Sequence, residues 1–334
     1  MPVKYSECWN MSNNNFPERY SRQILLEEIG KDGPVTLQNK KVAIVGIGAL
    51  GTVAAELLVR AGVGKILLID RDVIEETNLS GQVLFTEKDQ WKSKARAAQE
   101  RLQAINSRCL IEAQAIHLQC NNVDILKAAD LIIDGTDNIK TRLLLNDFCK
   151  KEGIPWIYGA AIKTSGYVLP LFPSGPCLRC FLDQKRGETC DTVGVLNTIT
   201  VSIAALQTTL ALQILLGKPV ESNLNYYDIW KPEFRKIKVS RNQNCRTCQG
   251  YYDYLTAGEE IKTIHFCGSG RYQILETPRN LPELKRKWEM NGEVIDNGSM
   301  LRYQNLILFD DGRALIKAAS EAEAWGVYAK LIGN

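Results

Sequence analysis

Histidine is scarce in this 334-residue chain; His117 and His265 are the only two. A hydride-transfer chemistry that leans on an imidazole acid or base has little to work with. Both residues fall in β-like runs where a core or surface role suffices. No G-x-x-x-x-G-K-[ST] stretch occurs, which excludes an ordinary P-loop ATPase. An excess of one charge sign is also missing. Lys and Arg number 41 against 38 Asp and Glu, a formal net charge of +3, so nothing argues for nucleic acid as the main partner. Long apolar runs are lacking too. The most apolar stretch, residues 195–216, is interrupted by Asn197, Thr198, Ser202, Gln207, Thr208, Thr209 and Gln213. It reads as a buried core helix and not as a membrane span. Residues 1–15 are polar, have no apolar signal core and read as a flexible arm, so a reducing, cytoplasmic setting is expected. Internal repeats and low-complexity tracts are absent.

Cysteine, by contrast, is plentiful, with ten residues. Cys177-Leu178-Arg179-Cys180 and Cys245-Arg246-Thr247-Cys248 each hold two thiols separated by two residues. Two such turns supply the four thiolates of a closed tetrahedral zinc site, structural because no position is left for water or substrate. Disulfides and buried free thiols are the competing readings. Cys8, Cys109, Cys120 and Cys149 read as ordinary thiols, and Cys267 as a weak candidate for anything more.

With 45% hydrophobic and 24% charged residues, the chain can bury one large core plus a smaller satellite. Residues 41–46 read as a strand that ends in Gly46-Ile47-Gly48-Ala49-Leu50-Gly51. A helix over 52–61 and a strand over 65–70 follow, then helix 95–105, strand 109–116, strand 131–134 and helix 141–152. This alternation predicts an α/β fold, a Rossmann-like, mostly parallel sheet with helices on both faces and ligands at the carboxyl ends of its strands. Residues 155–172 predict one or two long strands, 195–216 a helix, and 223–229 with 233–239 a closing antiparallel pair. Tyr251 to Glu260 reads as a linker into a small α+β module. The expected organisation is an arm at 1–15, a zinc-bearing domain at 16–250 and a module at 251–334.

In the glycine loop, Gly46 permits the sharp turn, Gly48 removes a side chain that would block a phosphate, and Gly51 lets the helix approach the strand. Asp70 closes the next strand, where a carboxylate accepts hydrogen bonds from a ribose diol. So far a dinucleotide dehydrogenase fits as well as an ATP site. The residues that follow favour ATP. A carboxylate-activating enzyme needs cations and a metal-holding acid for the charge on the transferred nucleotide. The chain supplies Arg71, Asn78, Lys92, Lys94 and, after a later strand, Gly135-Thr136-Asp137-Asn138.

Taken in order, Arg19-Tyr20-Ser21-Arg22-Gln23, Gly46 to Gly51, Ile69-Asp70-Arg71-Asp72, Thr77-Asn78-Leu79, Lys94, Thr136-Asp137-Asn138, Tyr158-Gly159-Ala160 and the two cysteine pairs resemble the ThiF/MoeB/HesA-type adenylyltransferases. These are bacterial relatives of ubiquitin-activating enzymes that adenylylate small sulfur-carrier proteins. The resemblance covers residues 16–250. The stretches Cys267 to Ile274 and Phe309 to Ala314 are similar to a tail on some thiamine-type members.

The resemblance implies a set of roles. Asp70 and its neighbour Asp72, with Gly46, Gly48, Ala49 and Gly51, would hold the adenosine side of ATP. Asn78 and Lys94 would grip the polyphosphate, and Asp137, beside Asn138, would bind Mg²⁺. Arg22 would reach across a twofold homodimer into the partner's site. The substrate would be a small ubiquitin-like carrier ending in Gly-Gly, for thiamine thiazole or molybdopterin synthesis. No rhodanese-like pattern follows residue 250, so a separate sulfur donor is expected. Cys190 resembles a cysteine that in some relatives becomes covalently linked to the carrier. A following helix would favour its thiolate and Asp191 would oppose it.

One departure stands out. Members usually carry an arginine two residues after the leucine of the Asn-Leu pair; here that residue is Gly81, so a bidentate phosphate contact is lost. Arg71, Lys92 or another cation would have to compensate. An NAD(P)-dependent oxidoreductase remains the alternative for the glycine loop, and a carrier-binding scaffold of weak catalysis the alternative for Gly81.

Overall fold

Short, unbroken apolar β runs require cover on both sides of a sheet, and the order of elements provides it. After helix α1 (Gly33–Gln38) come β1 (Lys41–Val45), α2 (Ala49–Ala61), β2 (Lys65–Ile69), α3 (Lys94–Ile105), β3 (Leu110–Gln114), β4 (Leu131–Asp134) and α4 (Ile139–Glu152). Then follow β5 (Trp156–Ile162), β6 (Ser165–Leu171), the long helix α5 (Asn197–Leu215), β7 (Asn223–Asp228), β8 (Glu233–Lys238) and the helical turn α6 (Asp253–Thr256). The computed structural model of the chain describes residues 18–182, 193–256, 263–266, 270–298 and 300–333. The arm at 1–15, with Cys8, as well as Cys190 and Cys267, lie outside the described residues.

The sheet has the order β3-β2-β1-β4-β5-β6-β7-β8. Strands β3 to β5 pair in parallel, and β6, β7 and β8 continue it antiparallel. In β1, Val42 and Ile44 join Val53, Ala54 and Leu58 of α2 and Ile199, Ile203 and Ala204 of α5 on one face. Ala43 and Val45 meet Leu144, Leu145 and Phe148 of α4 on the other. Burying both faces is what makes such strands continuous in hydrophobicity. Helix α5 is long and apolar enough to cross a membrane, but Ile199, Ile203, Ala204, Ala211 and Leu215 are committed to this core.

The chain separates into two compact units at Ala257/Gly258. The stretch read as a linker from Tyr251 therefore begins inside the first unit, because Tyr254 and Leu255 pack on its core and Asp253 is clamped by Arg179 and Arg246. The second unit, by itself, is an antiparallel sheet ordered β11-β12-β13-β14-β10-β9. Its strands are β9 (Thr263–Phe266), β10 (Arg271–Leu275), β11 (Ile295–Asp296), β12 (Met300–Tyr303), β13 (Leu306–Phe309) and β14 (Arg313–Lys317). Helices α7 (Leu281–Glu289) and α8 (Glu321–Leu331) close its core through Trp288, Ala324 and Tyr328. The Trp288 ring stacks on Tyr303 with centroids 5.3 Å apart, and side chains of Asn280 and Ser320 cap the two helices.

Candidate functional site

The strand order reverses at β1, flanked by β2 and β4. In an open α/β sheet this switch point is where the loops after the strands diverge and leave a crevice. Register aligns the loops: Val45 pairs with both Ile69 and Asp134, so Gly46, Asp70 and Gly135 emerge side by side. Gly46 has φ +88°, and a Cβ there would lie 2.7 Å from the carbonyl carbon and oxygen of Gly135. A Cβ on Gly51 would collide with the Gly46 carbonyl. Gly48 differs, since a Cβ there would meet nothing nearer than 4.0 Å. The structure therefore separates two kinds of glycine: Gly46 and Gly51 are required by backbone contact, whereas Gly48 leaves open space in front of α2. No side chain caps α2, so its first-turn amides face that space.

Asp70 is buried at the rim. Its Oδ2 accepts from Ile47 N–H at 2.6 Å and its Oδ1 from Asp72 N–H at 2.7 Å. Burial, reinforced by the negative charge of Asp72, pushes its carboxyl up to about 6 despite the pull of Lys94 and both N–H donors. Lys94 opens α3, nearly buried, with Nζ 3.7 Å from Asp72 Oδ2. Burial works against its ammonium, but Asp72, Asp70, Asp137 and Glu75 outweigh it and raise its pKa. Asp70, Asp72, Lys94 and Asp137 thus share one field, with Asp137 exposed. Asn138 caps α4, accepting from the N–H groups of Lys140 and Thr141. Asn78 Oδ1 accepts from Glu75 N–H at 2.9 Å. Ala49 is the first residue of α2. Arg22 stands outside this group, exposed on a turn segment beside Leu25 and Leu26, which are also exposed.

Around Gly81 there is room: a Cβ would meet only Ala49 Cβ, at 3.9 Å. Of the two cations named from the sequence as substitutes, Lys92 is engaged outside this group, whereas Arg71 borders it, with Nε 3.6 Å from Asp72 Oδ1. Arg71 Nη1 lies 2.9 Å from His117 Nδ1, and Lys92 Nζ donates to Asp89 Oδ1 at 2.9 Å.

Sequence reasoning missed Arg142, which is 13% exposed. Its Nε donates to Asp134 Oδ2 at 2.9 Å, and its Nη2 to the carbonyls of Thr136 and Gly159. Removing one partner of such a buried pair costs about 3–5 kcal/mol. Gln207 of α5 was also missed; its Nε2 donates to the Asp134 carbonyl at 2.9 Å. Both left a faint trace in the pattern. Arg142 shares a helical face with Leu145 and Cys149, and Gln207 sits between Ile203 and Ala211, so each is a polar group on an apolar stripe.

The four cysteines converge. Cys177 Sγ lies 3.8 Å from Cys180 Sγ and 3.4 Å from Cys245 Sγ, and Cys180 and Cys248 are 3.4 Å apart. All four sulfurs fall within 4.8 Å of one another. Zinc–sulfur bonds of about 2.3 Å in a tetrahedron put ligands about 3.8 Å apart, whereas a disulfide needs about 2 Å. The set fits zinc and leaves no open coordination position. The knuckles also hold the chain beyond them. Arg179 Nη1 donates to Asp253 Oδ2 at 3.1 Å, and Arg246 forks onto both Asp253 oxygens at 3.0 and 2.8 Å. Buried Asp147 accepts from Thr247 Oγ1 at 2.7 Å and Tyr254 N–H at 3.0 Å.

Residues 20–247 match a family profile described as the ThiF family. The sulfur carrier protein ThiS adenylyltransferase of Bacillus subtilis is 37% identical over 333 residues, covering 94% of this chain and 99% of that protein. A sulfur carrier protein adenylyltransferase of Thermus thermophilus is 35% identical over 264 residues, 75% of this chain and 96% of its own. A crystal structure of Escherichia coli MccB with ATP shares the fold, with a TM-score of 0.63 at 24% identity over 72% of this chain and 75% of that one.

Proposed function

The chain belongs to the ThiF family, and on that premise we propose that it is an ATP-dependent nucleotidyltransferase that adenylylates the C-terminal glycine of a small ubiquitin-like sulfur carrier. The observation that carries this reading is the near end-to-end match to a ThiS adenylyltransferase, 94% of this chain against 99% of that relative. A thiamine-type carrier ending in Gly-Gly is therefore the first candidate, with a molybdopterin-type carrier next.

In this reading the carrier carboxylate attacks the α-phosphorus, pyrophosphate leaves, and an acyl-adenylate remains for a separate sulfur donor. Asp70 accepts the ribose hydroxyls, a task it performs as the carboxylate, above about pH 6. The open space at Gly48, fronted by the first-turn amides of α2, receives phosphate. Lys94, kept charged by its surrounding acids, and the Asn78 amide orient the polyphosphate. Mg²⁺, when bound, offsets charge on the departing pyrophosphate, and Asp137 is the acid proposed to hold it. Arg22, exposed beside Leu25 and Leu26, serves the partner's site in a homodimer, and Cys190 is the proposed point of covalent carrier attachment. The setting is cytoplasmic.

The test is exchange of labelled pyrophosphate into ATP with small carriers ending in Gly-Gly. A carrier of the ThiS class should stimulate exchange, and Lys94→Ala or Asp137→Ala should lower it about 100- to 1000-fold. Failure of every such carrier to stimulate exchange would leave a carrier-binding scaffold as the better reading.

A further inference from the structure

The loop that carries Asp137 is held from below by a cation to which the mechanism gives no part. Arg142 binds three acceptors from three places: the Asp134 carboxylate at the end of β4, the Thr136 carbonyl in the loop and the Gly159 carbonyl on β5. Its guanidinium also lies over the Tyr158 ring, 4.9 Å from the centroid. Asp134 spends its other oxygen on Thr136, accepting from the N–H at 2.9 Å and from the hydroxyl at 2.6 Å. Asp137 follows directly, and Asn138 beyond it is fixed as the cap of α4. The residues on both sides of Asp137 are therefore pinned while Asp137 itself is exposed.

The pinned backbone also presses on the glycine loop, where a Cβ on Gly46 would lie 2.8 Å from Thr136 N.

We propose that Arg142 is a positioning residue for adenylyl transfer, tying Tyr158-Gly159 of β5 to the 134–136 backbone and so setting the direction from which Asp137 meets the nucleotide. The inference rests on the adenylyltransferase reading above. It requires arginine because a planar fork serves divergent acceptors in fixed directions, and a lysine ammonium, although charged, does not reproduce them. It also gives a task to the Tyr158-Gly159-Ala160 stretch, which the sequence singled out without one.

Carrier-stimulated pyrophosphate exchange would be measured for Arg142→Lys, Asp137→Asn and the double variant, with zinc content and thermal midpoint as checks on folding. Arg142→Lys should lower kcat about 10- to 100-fold with the KM for ATP within about threefold. In the Asp137→Asn background the same change should cost nothing further, because it acts through that carboxylate. Losses that multiply in the double variant, or an Arg142→Lys enzyme with unchanged kcat, overturn the proposal while leaving the adenylyltransferase reading intact. If Arg142→Lys does not fold, Arg142→Gln, which keeps a planar donor but loses the charge and the fork, carries the same comparison with a loss of at least several-fold. A wild-type enzyme that no carrier stimulates ends both.

Discussion

Gly81 leaves a gap that its neighbours do not fill. Only Ala49 borders a Cβ built there, while Lys92 is turned to Asp89 and Arg71 is shared between His117 and Asp72. An arginine at 81 therefore has room and would bring a guanidinium to the phosphate side of the loop. Charge-assisted hydrogen bonds contribute about 1.5–3 kcal/mol before the entropy of ordering a long side chain is subtracted. Gly81→Arg should accordingly tighten ATP about 5- to 10-fold, by calorimetric titration, without altering carrier choice. Unchanged or weaker binding would mean that the loop serves another group. The placement of Gly46, Gly51 and Asp70 at adjoining strand ends was legible in the sequence because their spacing follows the strand–turn–helix geometry. Arg142 was not, because two of its three acceptors are backbone carbonyls, which leave no mark on residue identity.

At the scale of elements, the two zinc knuckles act on α6. Arg179 and Arg246 are interior residues of the two cysteine pairs, and both grip Asp253. A bound metal that fixes the knuckles thereby fixes the start of the segment after them. Chelating the zinc should lower the thermal midpoint by about 10 °C or more and speed tryptic cleavage after Arg246. Asp253→Ala should speed that cleavage while zinc content stays at one per chain; cleavage at the wild-type rate would show that the clamp holds nothing. The cysteine doublets were readable as a metal site because four soft ligands in paired short spacing have few other uses. The clamp was hidden, and residues from Tyr251 read as linker, because Asp253 looks like any polar residue near a domain boundary. The 155–172 stretch stayed ambiguous between one strand and two for a related reason. Its turn runs through Lys163, at φ +54°, where the usual glycine or asparagine signal is missing.

For the whole molecule, the parallel half of the sheet was foreseeable, since strands covered on both faces read as uninterrupted apolar runs. The assembly is where the next experiment lies. If Arg22 completes the partner's site, mixed Arg22→Ala and Lys94→Ala subunits, each inactive alone, should regain activity, because one site in each hybrid dimer has both residues. Random reassortment makes half of the dimers hybrid and so restores about one quarter of wild-type exchange, a ratio set by twofold symmetry. No recovery on mixing would place Arg22 outside the partner's site. Finally, the contact of Gly46 with Gly135 joins two stretches far apart along the gene. Neither position has space for even a methyl group, so a lineage cannot wander at one of them and repair the damage at the other. Descendants that keep this crevice should keep glycine at both positions, and a chain in which either has drifted should have abandoned the nucleotide.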